Sequence, residues 1–225
     1  MNAILRRMLQ LLFLVVVQAI LLFLSAGSLA WAAGWWYIGL YFIGLLFASL
    51  ILLPHRREVI EERSKGASGG KSWDIWLTRI MTVPSLGMLV VAGLDQRFGW
   101  LPDFNVAVQI LGGVLFMLGY SIIVWAMYTN QFFSSIVRIQ EERGHMAVTA
   151  GPYRFVRHPG YVGMMLSALG GMWLLRSTWA LIAFALYVAV VVTRTALEDK
   201  TLRNELPGYT EYSTMTRFRL LPGIW

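Results

Sequence analysis

The chain has 225 residues and no cysteine. Disulfide bonds, thiolate metal sites and cysteine nucleophiles are therefore excluded. Charge is scarce as well, because charged residues make up only 14% of the chain. Two long stretches, Met8 to Leu53 and Phe104 to Val137, carry no charged side chain. Since a membrane-spanning helix needs about 20 mostly apolar residues, these stretches place the chain in a lipid bilayer.

Several common catalytic patterns are missing too. The three histidines, at positions 55, 145 and 158, do not have the spacing of a metal site, so no metal is predicted. No phosphate-binding loop occurs, and no serine stands in a nucleophile elbow. Gly170-Gly171 lacks the third glycine and the preceding strand of a dinucleotide fingerprint.

The apolar runs predict an all-α, polytopic integral membrane protein with about six transmembrane helices. A turn is expected between Ser25 and Gly34. The last two helices are short and are predicted to form a helical hairpin. The six predicted helices cover residues 8–30, 35–53, 74–94, 104–128, 160–175 and 178–197.

Positive charge predicts the orientation. With both termini inside, seventeen of the nineteen Lys and Arg residues fall on the cytoplasmic side, and only Arg97 and Arg176 fall outside. The net charge of +7 then reflects topology and attraction to anionic membrane lipids, and no nucleic-acid partner is predicted. The compact chain favours a bacterial inner membrane over the endoplasmic reticulum, and the oligomeric state stays open.

We divide the chain into two regions. Residues 1–128 form a four-helix transmembrane region with a cytoplasmic loop at 54–72. Residues 129–225 form the second region, which comprises a non-helical cytoplasmic insert, the hairpin and a C-terminal tail. Such an insert is acceptable outside lipid or against protein, where its backbone groups find partners.

Polar groups collect where the hairpin is predicted to open. Arg194 and Glu198 are four residues apart and share one helical face. An ordinary alternative exists for each element: Arg157-His158-Pro159 as a helix start at the interface, and Arg194 with Glu198 as an interfacial ion pair. The group that we expect to converge comprises His145, Tyr153, Arg157, His158, Tyr161, Arg194, Glu198, Asp199, Tyr209, Tyr212, Arg217 and Arg219.

These residues also carry a resemblance. The motifs His145-Met146-Ala147-Val148-Thr149, Gly151-Pro152-Tyr153 and Arg157-His158-Pro159-Gly160-Tyr161 precede Arg194 and Glu198-Asp199. In this order the chain resembles the integral-membrane isoprenylcysteine carboxyl methyltransferases and the related phospholipid N-methyltransferases. The resemblance implies that residues 129–225 are the catalytic region, with an S-adenosylmethionine cofactor site at the cytoplasmic mouth of the hairpin and with Arg194 facing the methyl acceptor. The residues implied in cofactor binding are Gln140, His145, Met146, Ala147, Val148, Tyr153, His158, Pro159, Gly160, Tyr161 and Glu198.

The implied activity is methyl transfer to an amphiphilic or lipid-like acceptor, which is a carboxylate such as that of isoprenylcysteine, or an amine. Positioning is the main requirement of such an in-line transfer, and Arg194 and Glu198 are the predicted catalytic residues. Two alternatives stay open: a membrane reductase with a nicotinamide cofactor, and a non-catalytic membrane protein that retains the fold.

Overall fold

The computed structural model describes residues 2–100 and 105–225, and within them it contains helices and no strand. Phe104, the predicted start of the fourth span, lies outside the described residues. Two 3₁₀ turns, Glu141–Arg143 and Gly151–Arg154, lie in the insert. The helices are α1 (Ala3–Ala26), α2 (Ala32–His55), α3 (Arg57–Ser64), α4 (Ser72–Phe98), α5 (Val106–Thr129), α6 (Pro159–Leu174), α7 (Ala180–Glu205) and α8 (Tyr209–Met215).

Five of these helices, α1, α2, α4, α5 and α7, are long and apolar enough to cross a membrane. The other apolar helix, α6, has 16 residues. At 1.5 Å per residue it is about 24 Å long, which is less than the roughly 30 Å of a bilayer's hydrocarbon core. The all-helical, polytopic architecture predicted from the sequence is confirmed, with α6 as a shorter element among five full-length candidates.

Local sequence explains where the helices begin and end. The side chain of Asn2 accepts a hydrogen bond from the backbone N–H of Ile4, and Asn105 does the same for Val108. Both are N-terminal caps of the kind that asparagine favours. Gly27 ends α1 in the left-handed conformation, at φ 68°, which costs a glycine little. The predicted turn between the first two spans therefore forms at residues 27–31.

The helices run alternately up and down, so both termini lie at one end of the bundle, which we call the basic end. There the Lys71 ammonium lies 2.7 Å from a carboxylate oxygen of Glu205. At the opposite end, the hydroxyl of Ser177 donates a hydrogen bond of 2.9 Å to Asp95, which ties α4 to the start of α7. Charged groups therefore cluster at the two ends, and the apolar faces lie between them.

Glycines allow α5 and α6 to pack closely. A Cβ atom on Gly119 would lie 2.5 Å from the backbone nitrogen of Ser167, and one on Gly163 would lie 2.5 Å from the carbonyl oxygen of Gly119. Only glycine permits this approach, since real Cβ atoms do not come so close to backbone atoms. These small residues therefore serve the contact between α5 and α6.

The last helix, α7, extends beyond its apolar segment. That segment was predicted over residues 178–197, and α7 has 26 residues and continues to Glu205, just before Pro207-Gly208. The final turns carry charged residues that bond to neighbouring elements at the basic end, so polarity does not stop the helix there. Residues 175–179 join α6 and α7, but α6 packs mainly on α5 and α7 mainly on α4.

The insert is held against the bundle by two hydrogen bonds, each donated by a backbone N–H group, near the start of α4. The N–H of Lys71 donates a hydrogen bond of 3.0 Å to the carbonyl of Val137. In return, the N–H of Val137 donates one of 2.7 Å to the carboxylate of Asp74. The insert therefore covers the basic end between α4 and α6, where the motif residues lie.

Candidate active site

A cavity of about 450 Å³ opens at the basic end, between the insert, α4, α6, α7 and α8. We call it the polar cavity. Of the twelve candidate site residues predicted from the sequence, ten line it. These ten are His145, Met146, Ala147, Val148, Tyr153, His158, Gly160, Tyr161, Arg194 and Glu198. Its size lies in the usual range of small-molecule sites.

Glu198 is the only acid among the described residues that line the polar cavity. The hydroxyl of Tyr161 donates a short hydrogen bond to its Oε2 atom. Oε1 of Glu198 lies 3.9 Å from Nδ1 of His158. The His158 and Tyr161 rings are stacked, with centroids 5.8 Å apart and planes inclined by 20°. The cavity wall thus combines one carboxylate with two stacked rings, a combination that attracts a cation.

Asp199 holds His158 in place from behind the cavity. Nε2 of His158 lies 3.5 Å from Oδ1 of Asp199, and the hydroxyl of Tyr209 donates a 3.0 Å hydrogen bond to that same oxygen. Nε of Arg157 donates to it at 2.6 Å, and Nε of Arg219 donates to Oδ2 at 3.0 Å. Asp199 is 1% exposed. It therefore acts as a structural centre that fixes the imidazole plane.

Arg157 attaches the C-terminal tail to the start of α6. Its Nη1 donates to the carbonyls of Thr216 and Arg217, at 2.8 Å and 2.7 Å. Its backbone N–H donates to the carbonyl of Phe218 at 2.9 Å. With Asp199 also bound, the guanidinium has several protein partners, so we assign Arg157 to support of the site.

Arg194 makes an ion pair that the sequence analysis did not foresee. Its Nε and Nη2 atoms donate to the two oxygens of Asp74, at 2.6 Å and 3.0 Å. The guanidinium lies 5.3 Å from the ring centroid of Tyr161 and also donates to the carbonyl of Ser135 at 3.1 Å. Asp74 is fully buried. The charge of Arg194 is therefore balanced within the protein, although the residue still lines the cavity.

His145 is neutral at physiological pH. Burial, with the positive charges of Arg143 and Arg138, lowers its pKa from 6.5 to about 4. Its ring lies against Phe132, with centroids 4.5 Å apart. A neutral imidazole adds no repulsion toward a cation in the cavity. Burial also raises the pKa of Tyr153, whose hydroxyl accepts a 3.2 Å hydrogen bond from Asn130 and stays protonated.

Comparison with known proteins gives this geometry a context. Residues 110–204 match the model of the isoprenylcysteine carboxyl methyltransferase (ICMT) family. This segment makes up less than half of the chain, and through it the chain is similar to the isoprenylcysteine carboxyl methyltransferase family. The matched segment contains most of α5, the insert, α6 and nearly all of α7, and with them every candidate site residue.

Individual relatives agree with the family match. Protein-S-isoprenylcysteine O-methyltransferase B of Arabidopsis thaliana is 32% identical over 96 residues, which are 43% of this chain and 45% of the relative. Protein-S-isoprenylcysteine O-methyltransferase A of the same plant is 27% identical over 140 residues, 61% and 64% of the two chains. Protein-S-isoprenylcysteine O-methyltransferase of Schizosaccharomyces pombe is 42% identical over 57 residues, which are 25% of this chain and 24% of the relative. The chain thus spans from about a quarter to just under two thirds of these relatives.

Two of the residues assigned through the family resemblance do not line the cavity. Gln140 is fully buried, donates to the carbonyl of Phe132 at 2.6 Å and accepts from Arg143 at 2.5 Å. It supports the fold of the insert. Pro159 is buried at the first position of α6, where proline fits because no N–H is needed. Their contact with a cofactor stays a prediction.

The sequence analysis missed Asp74, which lies outside the segment matched by the isoprenylcysteine carboxyl methyltransferase family. One signal was available: an acid at the start of a long apolar helix is costly unless it has a partner. Its partner, Arg194, is 120 positions away.

A second cavity, of about 440 Å³, lies between α1, α2, α4, α5 and α6. We call it the apolar cavity, because apolar side chains such as Leu45, Leu89 and Met172 form most of its wall. The two cavities share five lining residues, which are Arg7, Leu14, Arg63, Phe133 and Met164. The two cavities therefore meet, which gives one polar and one apolar compartment side by side.

Proposed function

We propose that the protein is an S-adenosylmethionine-dependent methyltransferase that methylates the carboxylate of a lipid-like acceptor. The observation that carries this proposal is the placement of Glu198, His158 and Tyr161 on one wall of the polar cavity, beside an apolar cavity. The match of residues 110–204 to the family model supports it, and the curated relatives are named O-methyltransferases.

The lining fits the proposed cofactor chemically. S-adenosylmethionine, when bound, supplies a methyl group on a positively charged sulfur. Glu198 is the acid that faces this space, and the stacked rings of His158 and Tyr161 border it. An anionic carboxylate and aromatic faces both stabilise a cation. Neutral His145 and protonated Tyr153 offer hydrogen bonds to polar groups without opposing that charge.

Glu198 and Arg194, the predicted catalytic residues, have different roles. Glu198 holds the sulfonium side of the cavity, and Tyr161 fixes the direction of its carboxylate. Arg194 borders the space where the reacting group of the acceptor would come, with its guanidinium held by Asp74 above the ring of Tyr161. A carboxylate acceptor is already a nucleophile, so these residues need to position it and no general base is required.

The membrane explains the two compartments. We propose that the basic end is the cytoplasmic face, because most Lys and Arg residues lie there. The soluble cofactor then enters the polar cavity from the cytosol, and the apolar chain of the acceptor occupies the apolar cavity. A bacterial inner membrane remains our expectation for the location.

Ligand binding tests the cofactor assignment. We would titrate the detergent-solubilised protein with S-adenosylhomocysteine, whose sulfur is neutral, and with sinefungin, which carries an ammonium group in that region. Glu198→Gln should weaken sinefungin binding by about tenfold or more, because an ionic contact is lost, and should affect S-adenosylhomocysteine less. Glu205→Gln, at an exposed acid of the same helix, is the matched control.

The outcomes separate the alternatives. Failure of both ligands to bind would refute the proposal, and binding of NADPH in their place would favour the reductase alternative. Methyl transfer itself is tested with radiolabelled S-adenosylmethionine and N-acetyl-S-farnesylcysteine. A methyl ester releases its label as volatile methanol in base, whereas an N-methyl product does not. Ligand binding without any labelled product, also from a total lipid extract, would favour the non-catalytic alternative.

A further inference from the structure

Two arginines stand at the junction of the polar and apolar cavities. Arg7 comes from the first turns of α1, and Arg63 comes from α3. Both line both cavities, together with Leu14, Phe133 and Met164. Neither arginine lies in the segment that matches the family, which begins at residue 110. The family resemblance therefore assigns them no role.

The two arginines differ from the other arginines of the polar cavity. Five arginines line it, and three of them hold a carboxylate: Arg138 with Glu62 at 2.7 Å, Arg157 with Asp199 at 2.6 Å and Arg194 with Asp74 at 2.6 Å. Arg7 and Arg63 have no acid within 4.0 Å in the part of the chain that the structure describes.

Their contacts are with uncharged groups. Nη1 of Arg7 donates a 3.3 Å hydrogen bond to the side chain of Gln10. The guanidinium of Arg63 lies 5.3 Å from the ring centroid of Phe133. Neither contact neutralises a charge. The junction therefore holds two positive charges that the protein itself does not balance.

This arrangement is costly in the absence of an anion. Burial, followed by the positive charges of Arg7 and Arg194, lowers the pKa of Arg63 to about 9. The guanidinium still carries its charge at neutral pH. Both arginines are partly buried, and a charge removed from water is more stable when it is paired, so a wall of this kind favours a ligand that brings a negative group. Guanidinium groups suit carboxylates in particular, since their donors match the two oxygens.

We propose that Arg7 and Arg63 form an anion site that binds the carboxylate of the methyl acceptor, while its apolar chain occupies the apolar cavity. The proposal rests on the proposed function and specifies its substrate: an amphiphile with a negative head beside a hydrophobic chain. Arg194 is not the main charge partner of this head, because Asp74 already balances it. The position at the junction suits both halves of such a molecule.

The site also has a consequence for product release. In the transfer, an oxygen of the acceptor carboxylate forms a bond to the methyl carbon, the carbon–sulfur bond breaks and its electron pair stays on sulfur. No proton is released. The product is a neutral ester, so Arg7 and Arg63 lose the ionic contact that held the substrate. The two arginines therefore favour substrate over product.

The test compares two ligands that differ only in this charge. We would titrate the full-length protein in micelles, with S-adenosylhomocysteine present, against N-acetyl-S-farnesylcysteine and against its methyl ester. The wild type should bind the acid about tenfold more tightly than the ester, and Arg7→Gln and Arg63→Gln should each reduce this preference severalfold. Arg6→Gln and Arg57→Gln, at exposed arginines of α1 and α3, are the matched controls.

Two further arms identify the source of the anion. Inorganic phosphate and phosphatidic acid are added as competitors of the farnesylated acid. If phosphatidic acid binds in an arginine-dependent manner and the farnesylated acid shows no preference over its ester, the carboxylate assignment is wrong and the site is a lipid phosphate site. Displacement by millimolar inorganic phosphate alone would show an unspecific anion site and also overturn the proposal.

Failure of the two proposals can be told apart. Equal binding of acid and ester to a protein that binds S-adenosylhomocysteine overturns the anion site and leaves the cofactor assignment standing. An arginine-dependent preference for the acid without any S-adenosylhomocysteine binding supports the anion site and overturns the cofactor assignment. Should a glutamine variant fail to fold, Arg7→Lys and Arg63→Lys keep the charge but lose the paired donors of the guanidinium, so both folded lysine variants should show a reduced preference for the acid. An undiminished preference in both lysine variants would overturn the proposal.

Discussion

The hydroxyl of Tyr161, in the first turn of α6, donates a hydrogen bond to Glu198, near the end of α7. This contact joins two motif segments that are 37 positions apart. It also turns the only acid among the described lining residues toward the space beside His158.

Tyr161→Phe keeps the ring and removes the hydroxyl donor. Glu198 then loses a hydrogen bond to its charged group, which is usually worth about 1.5–3 kcal/mol, so sinefungin affinity should fall by about tenfold. Titration calorimetry measures this change. Tyr128→Phe, at an exposed tyrosine, is the control. Unchanged affinity in Tyr161→Phe would show that the hydrogen bond does not orient Glu198 for binding.

Asp74→Asn should destabilise the protein strongly. The substitution leaves the buried guanidinium of Arg194 without its counter-charge, and breaking a buried pair in this way costs about 3–5 kcal/mol. Thermal unfolding in detergent measures the loss. A double variant, Asp74→Asn with Arg194→Met, should recover part of the stability, because no unpaired charge remains. If the double variant is less stable than Asp74→Asn alone, Arg194 has other essential partners.

Gly119→Ala should separate α5 from α6. Its Cβ would lie 2.5 Å from the nitrogen of Ser167, which is backbone and cannot move aside, so we expect a loss of about 1–3 kcal/mol. Gly39→Ala, in α2, is the matched control, since a Cβ there meets nothing within 4 Å. Melting temperatures of the two variants provide the comparison. Equal melting temperatures would mean that the α5–α6 contact is not as tight as the structure has it.

His145 should make stability depend on pH. The pKa of His145 is about 4 in the folded protein, whereas the ordinary value of 6.5 applies to the unfolded chain. Between pH 4 and pH 6.5 the unfolded chain therefore binds more protons than the folded protein. Stability from this group is complete above pH 6.5 and is lost as the pH falls toward 4. His145→Gln should therefore reduce the drop in melting temperature between pH 7 and pH 5. His55→Gln, at an exposed histidine, should leave that drop as it is in the wild type.

Much of the candidate site could be predicted from the sequence. Polar and aromatic residues between apolar runs have few places to lie in a membrane protein, so Tyr153, His158 and Glu198 were expected at one end of the hairpin. The order of the motifs predicted the family. Gln140 was assigned by the same resemblance, but its side chain supports the insert and does not line the cavity. Sequence order does not show to which side a loop residue points.

The sequence by itself determined the helices, because an apolar run in lipid must satisfy its backbone hydrogen bonds internally and a helix does so residue by residue. It also determined which end is basic. The tertiary structure decided which charges are paired: Arg194 with Asp74, Arg157 with Asp199, and Arg7 and Arg63 with no acid among the described residues. Pairing joins residues far apart in the chain, and helix packing brings them together. For that reason, the anion site at the cavity junction became visible only in three dimensions.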